Sequence, residues 1–65
     1  MKVSKKKLMC AMIDAGMNFS KLSNESKVSK MTLSRINKGA NTTFETLSKI
    51  SHALGVNLWD LMEET

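Results

Sequence analysis

The stretch NFSKLSNESKVSKMTLSRINKG, Asn18 to Gly39, decides how this chain folds. Asn18 is a good N-cap, because a short polar side chain can accept an otherwise orphaned N–H of the first helical turn. It predicts a short helix over Phe19 to Ser26 with Leu22 as its core residue. Ser29 is the next cap. It predicts a helix over Lys30 to Lys38 in which Leu33 and Ile36 share one face and Gly39 supplies the stop. Only Lys27 and Val28 lie between the two helices, room for a tight turn and little else.

Upstream, Ser4 caps a helix over Lys5 to Ala15, in which Leu8, Met12 and Ala15 recur at i, i+4 and i+7 before Gly16. Downstream, Thr43 caps a fourth helix whose stripe is Phe44, Leu47, Ile50 and Leu54, ended by Gly55. Asn57 then caps a terminal helix carrying Leu58, Trp59, Leu61 and Met62. No alternation of β-branched or aromatic residues lasts long enough to suggest a strand. The expectation is all-α: a compact five-helix domain over residues 1–65, with a short basic N-terminal arm at 1–4.

A 65-residue chain buries only about 60% of its unfolded surface, too little for a deep catalytic cleft. At 42% hydrophobic and 25% charged residues it is neither disordered nor fibrous by composition. Its single cysteine, Cys10, forms no internal disulfide, and with one histidine it does not make a zinc site unless carboxylates supply the rest. No apolar run reaches membrane-spanning length. The basic start leads into a segment broken at Asp14, unlike a signal-peptide core, so a soluble cytoplasmic protein is expected.

Charge is unevenly placed. Residues 1–40 carry nine basic and two acidic side chains (+7), residues 41–65 one and four (−3), which sum to the formal +4. One end suits a polyanion. The helices at 19–26 and 30–38, joined by so short a turn, have the dimensions of a helix-turn-helix, whose second helix enters the major groove of DNA. At about 100° per residue, the face opposite Leu33 and Ile36 holds Met31, Ser34, Arg35 and Lys38, with Lys30 on its flank. That strip has cations and no carboxylate. Arg suits the O6 and N7 of guanine, Lys the same atoms or a phosphate, and Met31 a thymine methyl.

Over Val3 to Glu64 the chain resembles the phage-repressor and Cro-type (XRE-like) helix-turn-helix family. The resemblance rests on Asn18 to Gly39 and on TFETLSKISHALGVNLWDLM, Thr43 to Met62, which looks like the family's fourth helix, Leu-Gly-Val link and final Asp-Leu helix. It implies sequence-specific binding of double-stranded DNA, usually as a homodimer, to regulate transcription. On that reading Lys30, Met31, Ser34 and Arg35 read bases, while Asn18, Phe19, Thr32, Lys38, Asn41 and Thr43 contact phosphates. Five apolar or aromatic side chains crowd Val56 to Met62, more than one short helix usually hides against so small a core, so Leu58, Trp59 and Met62 are expected to form the dimer interface. There are departures from the family pattern: Lys27 stands where many relatives have a turn glycine, and Ser23 replaces a small alanine. Phe19 replaces a phosphate-touching Gln, leaving its backbone N–H for that contact. Met12 and Asn37 replace an Arg–acid pair together.

Each assignment has a plainer alternative. Arg35 and Lys38 form a solvated face, Lys5 to Lys7 aid solubility, Met31 is a packing residue and Thr43 only a cap. Trp59 closes the monomer core instead of meeting a partner. His52 reads as structural, Cys10 as a small helix residue, and Asp60, Glu63 and Glu64 as an exposed acidic end. No catalytic, metal-binding or phosphate-cradling motif is present, and no cofactor, membrane or small-molecule effector is expected. The leading function is a repressor on an inverted-repeat operator, not an enzyme. The alternative is an antitoxin-like or accessory protein-interaction module.

Overall fold

Four polar side chains set the helix starts. In the computed structural model, which describes residues 1–63, Ser4 accepts the N–H of Lys7 and Asn18 that of Lys21. Ser29 accepts from Thr32, and Thr43 from Thr46. The helices that follow are α1 (Lys5–Ala15), α2 (Phe19–Ser26), α3 (Lys30–Asn37) and α4 (Phe44–Leu54). Glycines in left-handed geometry close α1 and α4, Gly16 at φ 67° and Gly55 at φ 72°. The third helix stops one residue before its expected end: Lys38 is its C-cap, and Gly39 at φ 101° turns the chain away.

The α2–α3 turn holds a conformation that usually belongs to glycine. Lys27 lies at φ 64° and ψ 23°, the one non-glycine residue with positive φ among the described residues. Ser26 supports this turn from within. Although 4% exposed, its hydroxyl donates to the Leu22 carbonyl at 2.6 Å and accepts the N–H of Val28 at 3.3 Å. The bend is held by a buried side chain while its backbone is strained.

The expected fifth helix is corrected to a single 3-10 turn, Leu58–Asp60. Its backbone bonds run from Asp60 to Asn57 and from Leu61 to Leu58, and Asp60 Oδ2 accepts the N–H of Asn57 at 3.1 Å. What stops an α-helix is a competing partner. Val3 and Met62 form an antiparallel bridge, the N–H of Ser4 donates to the Leu61 carbonyl, and that of Glu63 donates to Lys2. The stretch 1–4, expected as a basic arm, is tied down by these bonds and by the N–H of Thr42, which donates to the Met1 carbonyl at 2.7 Å. Val3 itself is 3% exposed. Glu64, read as part of the acidic end, lies outside the described residues.

Leu8, Leu22, Leu33, Ile36, Leu47, Ile50 and Leu61 form the centre of the core. The second helix packs on α4 and α3, and α1 packs on α3 and α4. Two expected core residues are not there: Phe44, in the first turn of α4, is 60% exposed, and Ala15, in the last turn of α1, is also exposed. Each lies at the end of its helix, where the apolar stripe has run past the core. No helix among the described residues is long and apolar enough to cross a membrane.

Candidate nucleic-acid interface

Burial of Leu33 and Ile36 fixes the rotation of α3 and so decides which side chains it presents outward. Lys30, Met31, Arg35 and Lys38 are exposed, Met31 by 66%, and Ser34 is half-buried at the strip's edge. Among the described residues no carboxylate is ion-paired to Lys30, Arg35 or Lys38. At 1.5 Å per residue the eight residues of α3 run about 12 Å and present two cations, Lys30 and Arg35, with Lys38 following as the C-cap. A major groove is about 12 Å wide and admits such a helix end-on or along its floor.

The residues expected at phosphates sit at the starts of α2, α3 and α4 and in the loop after α3. Asn18 is exposed, and its Oδ1 accepts the N–H of Lys21 at 2.9 Å, which leaves its side-chain N–H groups as donors for a ligand. Phe19 is half-buried against the core. Only its backbone N–H, at the start of α2, suits an anion. Thr32 is half-buried, and its hydroxyl accepts from Ser29 at 2.9 Å. Lys38 and Asn41 are exposed. Thr43 donates its hydroxyl to Thr46 Oγ1 at 3.1 Å and accepts the N–H of Thr46, so its side chain is committed to the cap. An anion at the start of α4 is left the backbone N–H groups.

Two features lie beyond the residues named from the sequence, one with a sequence signal and one without. The Ser29–Thr32 and Thr43–Thr46 caps are built alike, a hydroxyl bridged to a hydroxyl one turn on, and the repeated spacing of the two pairs is the signal for it. The tether from Thr42 to Met1, by contrast, joins backbone to backbone and leaves no trace in residue types. It braces the loop that carries Asn41 and Thr43.

The three residues assigned to a dimer contact divide. Leu58 and Met62 are half-buried against the chain's own core, whereas Trp59 is 75% exposed. Among the described residues, no three His, Cys, Asp or Glu side chains gather in a metal-holding group.

Compared with known proteins, residues 7–64 match the family described as the Cro/C1-type HTH DNA-binding domain. No curated protein and no solved structure matches the chain.

Proposed function

The chain belongs to the Cro/C1-type helix-turn-helix DNA-binding family, and from that premise we propose that it is a sequence-specific transcriptional repressor. It occupies an inverted-repeat operator in double-stranded DNA as a homodimer in the cytoplasm, and its work is binding rather than catalysis. The observation that carries this reading is the outward strip of α3, where Lys30, Arg35 and Lys38 lie exposed with no carboxylate among them.

Arg35 offers a guanine edge two parallel donors, and its place on the exposed face makes it the chief base reader. Lys30 reaches the same acceptors, Met31 meets a thymine methyl, and Ser34 supplies a short donor at the strip's margin. Phosphates are taken by the Asn18 amide and Phe19 N–H at the start of α2, by Thr32, Lys38 and Asn41, and by the helix start at Thr43. Trp59, with Leu58 and Met62 beside it, forms the contact between two copies.

Titration of labelled duplex at several salt concentrations tests the reading. Tight, salt-sensitive binding of a selected site over random duplex supports a base-reading regulator. Equal affinity for both at every salt concentration contradicts it and favours the protein-interaction module.

A further inference from the structure

The two most exposed large apolar side chains among the described residues are Trp59 at 75%, which lines a groove along α1, and Ile13 at 70%, which lies on α1 itself. Leu8, Ala11 and Met12 bury the opposite side of that helix. The exposed side carries Lys6, Cys10 and Asp14 at i, i+4 and i+8, one ridge of the helix surface about 12 Å long. All three, with Lys7 and Ala11, line a groove whose other wall is Val56, Trp59 and Asp60. Met9, 42% exposed, continues the apolar flank beside Ile13.

This ridge is self-complementary. Cys10 lies midway between Lys6 and Asp14, so a two-fold axis through Cys10 sets each Lys6 against Asp14 of a second copy. The axis also brings the two Cys10 side chains together. An isologous contact needs this property, a patch that matches itself after rotation. The groove sets Lys6 and Lys7 against Asp14 and Asp60 on a chain of formal charge +4, which lowers the repulsion that two such chains meet at this surface. Apolar side chains as exposed as Ile13 and Trp59 gain by being covered in the same step.

We propose that the occupant of this surface is a second copy of the chain, with α1 packed antiparallel on its counterpart about an axis at Cys10 and Trp59 closing over the groove. The inference rests on the dimeric part of the proposed function. It moves the centre of the contact from the 58–62 segment to α1.

Three measurements on the whole chain separate its failure from that of the dimer itself. Sedimentation, free and with the selected duplex, asks whether the wild type self-associates. Mild oxidation followed by a non-reducing gel asks whether Cys10, the only thiol, joins two copies. Charge reversal asks about the ridge. Lys6→Asp or Asp14→Lys alone turns both cross-axis attractions into repulsions and is expected to weaken self-association about tenfold at low salt. The double variant restores opposite charges and is expected to return to within about threefold of wild type, with circular dichroism confirming that every variant is folded. A dimer that neither links through Cys10 nor responds to the reversals overturns this surface and leaves the dimer standing. A wild type that stays monomeric in both conditions overturns the dimeric reading and this inference with it.

Discussion

The buried hydroxyl of Ser26 accepts the backbone N–H of Val28 across the turn that separates α2 from α3. This bond spans the residue in the left-handed conformation, and the same hydroxyl donates to Leu22. Ser26→Ala leaves the Val28 N–H buried and unpaired. The expected loss is about 1–2 kcal/mol of unfolding free energy, read from urea denaturation. An unchanged midpoint would show that the turn does not need the hydroxyl.

Lys27→Gly relieves a side chain held at φ 64° but gives the unfolded chain more freedom. Left-handed strain of about 1–2 kcal/mol outweighs the entropic cost of about 0.5–1 kcal/mol. A higher Tm is expected from thermal unfolding. A Tm at or below wild type would mean that the Lys27 backbone is not strained.

Val3→Ala tests the pairing that replaces a fifth helix. Val3 is as buried as the helical core, and trimming it is expected to cost about 1–2 kcal/mol, measured by chemical denaturation. A residue on a loose basic arm would give no loss.

Arg35→Ala and Lys38→Ala are expected to differ in kind. Loss of a bidentate base contact lowers affinity for the selected site by about 1–3 kcal/mol and relaxes choice at one base position. Loss of a phosphate contact weakens selected and random duplex alike and lowers the salt slope by about one. If Arg35→Ala weakened both duplexes equally, Arg35 would not be reading a base.

Trp59→Ala removes little from the monomer, since the ring is mostly exposed, and unfolding free energy should stay within about 0.5 kcal/mol of wild type. Self-association in sedimentation should fall. A folded variant that associates as wild type does would exclude Trp59 from the contact.

These residues also show how far the sequence could be read. The starts of α1 to α4 were legible because a cap is local chemistry: Ser4, Asn18, Ser29 and Thr43 each act on an N–H three residues ahead. The outward strip of α3 was legible for a related reason, since burial of Leu33 and Ile36 fixes the rest of so short a helix. The segment after Asn57 was not. Leu58, Leu61 and Met62 have helical spacing, and the pairing that overrides it comes from Val3 and Ser4, far away in sequence. Phe44 continues the periodicity of Leu47 and Ile50, but periodicity does not say where the core ends. The Thr43 hydroxyl, bound to Thr46, shows that a residue type suited to phosphate can already be engaged in a cap.

Selection of bound sequences from a random duplex pool scores base reading by α3 and the two-fold symmetry of the bound protein in one measurement. Enrichment of an inverted repeat whose half-sites are centred about 10–10.5 base pairs apart is expected, as two recognition helices in successive major grooves require. A pool that emerges without sequence preference would contradict it.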